Sequence, residues 1–141
     1  MLASASSLRD DSEGFAMALV KEGSVDCVYN PLMYAWDVHK RYIEISGDRG
    51  AKTVMLGMNP GPHGMGQMGI PFAATSMVRA LLGISGIPVG QPSKPHPRRP
   101  VIGLDYPREE VSGTRVWGLL SDTYGESDSI FEKVFLVNHC P

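Results

Sequence analysis

Asn59 and Asn138 each stand directly after a short apolar run, and a glycine-rich loop, "LGMNPGPHGMGQMGIPF" (56–72), surrounds the first of them. A carboxamide offers a donor and an acceptor side by side, the pattern needed to read the edge of a nucleobase. Phe72 closes the loop with a ring on which a planar heterocycle could stack for ~1–3 kcal/mol. Glycines let the backbone approach such a ligand closely, and Met58 and Met65 add polarizable surface. Together these residues describe an uncharged pocket for an amide-like heterocycle such as a pyrimidine base. Taken singly, each has a plainer role: the asparagines cap turns and Phe72 fills core.

The same loop spells G-x-G-x-x-G at Gly64–Gly69, as dinucleotide binders do. The match fails on context. Gly64 comes several residues after the apolar run, and no acidic residue follows about 20 positions on to hold a ribose. Pro62 and Pro71 remove amides that a phosphate nest would use, and there is no G-K-[ST] for a P-loop. The loop contains no Lys to form a Schiff base, and no metal-ligand spacing accompanies it. No carboxylate is expected near Asn59, so the chemistry must proceed without a general base, conceding a factor of order 10²–10⁴.

Charge is unevenly spread. The chain of 141 residues has a net charge of −2, yet all fifteen acids lie outside residues 49–104, which carry Arg49, Lys52, Arg79, Lys94, Arg98 and Arg99. A one-signed face of this kind favours an anionic partner. The length suits one domain, and 43% hydrophobic residues can fill one core. No apolar run is long enough to span a membrane, and "MLASASSLRDDSEGF" reads as a frayed polar tail, not a signal peptide. Two cysteines, Cys27 and Cys140, are too few for a disulfide framework and point to a reducing, intracellular setting.

The elements that must position these groups alternate between helix and strand. In "NPLMYAWDVHKRYIEIS" the apolar residues recur at helical spacing, with Asn30 available as cap and Pro31 suited to the first turn. "KTVMLGM" (52–58) has no alternation, as in a parallel strand buried on both faces. "TSMVRALLG" (75–83) is a short helix ending at Gly83, and 86–100, with five prolines, is an extended loop. "SGTRVWGLLSDTYG" (112–125) is a crossover helix closed by Gly125, and "KVFLVNHCP" (133–141) a second apolar strand. The class is α/β, with Asn59 and Asn138 at the carboxyl ends of strands, where open parallel sheets bind ligands.

"GMNPGPHGMGQMGIPF", with "YNPLMYAWDVHKRYI" before it and "MVRALLGI", "HPRRPVIGL" and "EVSGTRVWG" after it, closely resembles the single-strand-selective monofunctional uracil-DNA glycosylases of the uracil-DNA glycosylase superfamily. The resemblance runs from about Val28 to Pro141. It implies a three-layer α/β/α fold around a parallel sheet, and excision of uracil and 5-modified uracils from DNA by a monofunctional base-excision repair hydrolase without cofactor or metal. On this resemblance Asn59 positions the hydrolytic water, Met58 contacts the base through its backbone, and Phe72 stacks on the flipped uracil. Asn138 reads the uracil edge, and Gly61–Met65 line the pocket near the five-position of the ring. His63 stands where some relatives carry phenylalanine. Arg98, Arg99 and Lys94 then contact DNA phosphates while the base is extruded.

Family members continue past "NHCP" with further strands, helices and a His-Pro-Ser-Pro-type loop. The chain is accordingly expected to be a truncated form: 1–24 as tail and start of the first helix, 25–141 as the amino-terminal portion of the glycosylase-like domain. The expected partner is uracil-containing DNA, bound by a monomer away from any membrane, in cytoplasm or nucleoid if bacterial and the nucleus if eukaryotic. Two other readings stay open: a DNA- or uracil-binding module without turnover, and a nucleotide-dependent enzyme using the glycine loop.

Overall fold

Asn30 behaves as the sequence requires of a cap: its Oδ1 accepts from the Leu32 amide at 3.1 Å, and Pro31 opens the helix that follows. In the computed structural model, which describes residues 1–140, this helical stretch divides into α2 (Pro31–Tyr34) and α3 (Trp36–Ser46). Pro141, last residue of the "VNHCP" motif, lies outside the described residues.

The amino-terminal residues depart from the frayed tail expected for them. Leu2–Lys21 form helix α1, with only Ala16 buried. Because α1 has almost no apolar stripe, periodicity could not reveal it. Polar contacts dock it instead. Asn30 Nδ2 donates to the Arg9 carbonyl at 3.0 Å and to Glu13 at 3.2 Å, and the Arg9 guanidinium lies 4.5 Å from the Trp36 ring centre.

Strand β1 (Thr53–Gly57) pairs in parallel with β2 (Val134–Asn138), in the register Thr53 to Val134 through Gly57 to Asn138. Between them come α4 (Met65–Met68), α5 (Thr75–Ala80), a 3₁₀ turn at Gly103–Asp105, α6 (Val111–Tyr124) and α7 (Ser127–Phe131). Gly125 closes α6 at φ +84°, and Gly83 turns at φ +64° three residues after α5. The fold class is α/β, as expected.

The core joins Met55, Val134 and Leu136 to Trp117 and Leu120 of α6 and to Ile130 and Phe131 of α7. On the opposite face of β2, Tyr42 of α3 stacks on Phe135 at an interplanar angle of 24° and donates its hydroxyl to the Leu136 carbonyl at 2.8 Å. Burial raises the Tyr42 pKa, so this hydroxyl keeps its proton. Burial of β1 on both faces does not hold. Val54 and Leu56 are 62% and 63% exposed, because α3 covers β2 without reaching its neighbour. Among the described residues no helix is long and apolar enough to cross a membrane.

Candidate functional site

Strand pairing alone delivers two of the singled-out groups to one place. Gly57 pairs with Asn138 across the sheet, and a Cβ on Gly57 would lie 2.2 Å from Asn138 Oδ1 and 2.8 Å from Phe72 Cζ. Glycine at the strand tip is therefore what lets the carboxamide and the aromatic ring converge. Beyond it the two chains stay paired, His139 N donating to the Gly57 carbonyl at 2.8 Å and Cys140 N to that of Met58 at 3.0 Å. Asn138 is buried, with its Nδ2 2.9 Å from Met65 Sδ. Asn59 is exposed just past the tip, and the Met58 side chain is 77% exposed.

The loop backbone is pinned from several elements. Tyr34 Oη donates to the Gly66 carbonyl at 2.7 Å, and Trp117 Nε1 donates to that of Phe72 at 3.0 Å. His39 Nδ1 lies 2.6 Å from the Gly69 carbonyl, which can only accept, so this nitrogen carries the proton. Burial lowers the His39 pKa, the Gly69 bond opposing it, so the ring is held neutral. Phe72 itself has φ +54°, an uncommon conformation for a residue with a side chain. Gly113 makes room for it, since a Cβ there would sit 2.2 Å from the Phe72 carbonyl oxygen.

Two residues that sequence reasoning passed over define the rest of the site. Gln67, only 4% exposed, donates through Nε2 to the Pro62 carbonyl at 3.1 Å and the Pro100 carbonyl at 3.0 Å. Its Oε1 accepts from the Ile102 amide at 2.8 Å. One side chain thus ties the Asn59 loop to the end of the proline-rich loop. Its signal in the sequence was a lone amide between apolar neighbours.

The second residue bears on the expected lack of a carboxylate. A carboxylate does border the loop. Glu110, just before α6, packs on Gly61 and Gly64 so closely that a Cβ on Gly61 would meet Oε1 at 2.6 Å and one on Gly64 would meet Oε2 at 1.5 Å. Ser112 Oγ donates to Oε1 at 2.8 Å, whereas buried Oε2 has no hydrogen-bond partner among the described residues. Glu110 lies some fifty residues from Asn59, so spacing along the chain could not reveal it.

The basic window also resolves differently from its sequence. Arg79 pairs with Asp105, and Arg49 lies 3.2 Å from Asp128, so these two cations are opposed. Arg98 and Arg99 make no ion pair among the described residues, and both line a groove of about 940 Å³ with His63, Tyr106 and Arg108. Lys94 is exposed but does not line it. Pro60 and Pro62, adjoining Asn59, form the near wall. The structure therefore brings Met65 and Phe72 to Asn138, sets Gly61 against Glu110, and sets Arg98 and Arg99 in a groove beside the loop.

Fold and site together describe an α/β protein in which Asn138 and Phe72 converge at a strand tip, with a groove lined by Arg98, Arg99 and Arg108 beside the loop. Comparison with known proteins gives the particular kinship. The chain is 45% identical over 117 residues to the bovine (Bos taurus) single-strand selective monofunctional uracil DNA glycosylase, an alignment covering 83% of this chain and 43% of that protein. Its identity to the proteins of the same name from Mus musculus and Rattus norvegicus is 44% over 117 residues in each case. The chain spans less than half the length of these relatives. No family model matches it. The chain is thus a homologue of the single-strand selective monofunctional uracil-DNA glycosylases over most of its own length.

Proposed function

We propose that the chain carries the base pocket and water-positioning loop of a DNA repair glycosylase that hydrolyses the N-glycosidic bond of uracil and 5-modified uracils in DNA. The observation that carries this reading is the convergence of Asn138 and Phe72 on Gly57, two residues before Asn59. The roles follow from the chemistry of each group. Asn138 offers a donor and an acceptor to the uracil edge, and Phe72 offers a ring to stack on it. Gly61 and Met65 lie along the pocket wall and discriminate at the five-position, with the Met58 backbone bordering the base. A base inside a duplex cannot reach such a pocket, so the target nucleotide enters extruded or from a single strand. Arg98 and Arg99, and Lys94 more peripherally, hold phosphates while it does.

Asn59 lacks a proton-accepting group and acts by orienting a water toward the anomeric carbon. The C–N bond breaks first, its electron pair leaving with the base as a uracil anion. Water then adds to the oxocarbenium-like sugar and gives its proton to the departed uracil anion or to bulk water. The pinned loop places fixed dipoles around the departing base, and such preorganised donors cost no rearrangement during reaction. Glu110 belongs to the support of the loop: its carboxylate is packed against glycine Cα atoms and held by Ser112. The enzyme works as a monomer inside the cell, without metal or cofactor.

The test is base release from a uracil-containing oligonucleotide in EDTA by the full-length protein and by its Asn138→Ala variant. Release by the parent and loss of uracil preference in the variant are expected. A divalent-metal requirement, or unchanged base preference in the variant, refutes the reading.

A further inference from the structure

The groove beside the loop is more than a cluster of cations. Tyr29 accepts from the His96 amide at 2.8 Å and donates to the Arg99 carbonyl at 2.7 Å, while Arg99 N bonds the His96 carbonyl at 2.9 Å. The turn that bears Arg98 and Arg99 is therefore fastened at both ends to the Tyr29 hydroxyl. Gln67 fixes the next residue, Pro100, to the Asn59 loop. Across the groove, His63 and Tyr106 lie within 17° of parallel with ring centres 5.6 Å apart, joined by a 2.7 Å bond between Nδ1 and the hydroxyl. Both are half-buried groove-lining rings, and exposed Arg108 stands two residues from Tyr106. The volume, about 940 Å³, falls near the upper end of the ~300–1,000 Å³ usual for small-molecule sites.

We propose that this groove is a subsite for the nucleotide adjoining the target in a single DNA strand. Its base lies on the His63–Tyr106 pair, and its phosphates are held by Arg98, Arg99 and Arg108. Paired aromatic and cationic surfaces are the general means of holding single strands without reading sequence. The near-parallel ring pair supplies the stacking surface, and three guanidiniums with no acidic partner among the described residues supply the phosphate contacts. Because Gln67 sets the spacing between this groove and Asn59, engaging the neighbour aligns the target at the pocket. The inference rests on the glycosylase reading and adds a specific position on the strand.

The experiment uses full-length protein and short single-stranded oligonucleotides carrying one uracil, with the base of either neighbouring nucleotide replaced by an abasic analogue. Loss of the base on one side is expected to weaken Kd at least ~5-fold, and loss on the other side to have a smaller effect. In a His63→Leu, Tyr106→Leu double variant that difference disappears. Tyr106→Phe, which keeps the ring, retains it and guards against a folding artefact. Arg108→Ala is expected to weaken all oligonucleotides alike and lower the salt slope by about one. Equal affinity for every flank with uracil preference intact would overturn the subsite alone. Loss of uracil preference over thymine in the parent protein would instead overturn the glycosylase reading.

Discussion

Replacing Gln67 with leucine tests whether the site works as one body. The side chain makes three bonds, to the Pro62 and Pro100 carbonyls and from the Ile102 amide. A net hydrogen bond contributes ~0.5–1.5 kcal/mol, so three amount to ~1.5–4.5 kcal/mol. The upper end would require all three partners to stay dry when abandoned. Pro62, Pro100 and Ile102 are exposed as residues, so water can reach them, and the lower half of the range applies. Domain stabilities of ~5–15 kcal/mol absorb that loss, and the protein stays folded. With an unfolding entropy of ~2.1 cal/mol/K per residue, each kcal/mol is about 3 °C at this length. Tm should fall by roughly 5–9 °C.

The functional effect should exceed the thermal one. Without the clamp the Asn59 loop and the Arg98–Arg99 turn move independently, so DNA binding and excision fall together. A double-mutant cycle with Arg98→Ala and Arg99→Ala makes the point quantitative. Groups coupled through one clamp show interaction energies of ~0.5–3 kcal/mol, whereas independent sites add within ~0.5 kcal/mol. Strict additivity in Kd, or an unchanged Tm for Gln67→Leu, would refute the reasoning.

Asn59→Ala should lower the single-turnover excision rate far more than it weakens DNA binding, because an oriented water acts in the transition state; equal losses would make Asn59 a binding residue. Glu110→Gln preserves shape and should keep excision within about tenfold, whereas a fall of order 10²–10⁴ with a flattened pH profile would identify a general base. Gly64→Ala should displace the loop, since its Cβ would meet Glu110 Oε2 at 1.5 Å and the Ala73 carbonyl at 2.5 Å; a lowered Tm and lost activity check this. His39, buried and held neutral, has a folded pKa below its unfolded value of ~6.5. The unfolded state therefore binds the proton first, and stability that is full above pH ~6.5 should be lost as pH falls from there toward the folded pKa. Melts of the parent and of His39→Asn across that window should differ in slope.

What the sequence could reveal depended on how local each signal was. Cap, Pro31, terminal glycines and apolar runs act within a few residues, so α2–α3, α6 and both strands were legible, including the parallel pairing that their separation by helices requires. Helix α1 was missed because its attachment is made by Arg9, Glu13 and Asn30, a polar contact set that leaves no 3.6-residue stripe. The burial of β1 was misread for a related reason: an apolar run reports what a strand can tolerate on each face, and only packing decides which face is covered. Val54 and Leu56 share a face with Phe135 and Val137, yet Tyr42 reaches the second strand alone.

The candidate site divides along the same line. Asn59, Phe72 and Asn138 stood out because each belongs to a strand tip or loop whose spelling is informative by itself. Glu110 and Gln67 were not, because what matters about them is the partner brought by the fold. The unopposed charges of residues 49–104 were opposed after all at Arg49 and Arg79, by acids distant in sequence. Of the cations with no acidic partner among the described residues, Arg98, Arg99 and Arg108 line the groove, whereas Lys52 and Lys94 do not. Ion pairing therefore narrows the cationic surface: it neutralises Arg49 and Arg79, and the arginines that line the groove are among those left unpaired. Charge asymmetry in the sequence located the face, and the pairing of Arg49 and Arg79 narrowed it to the groove.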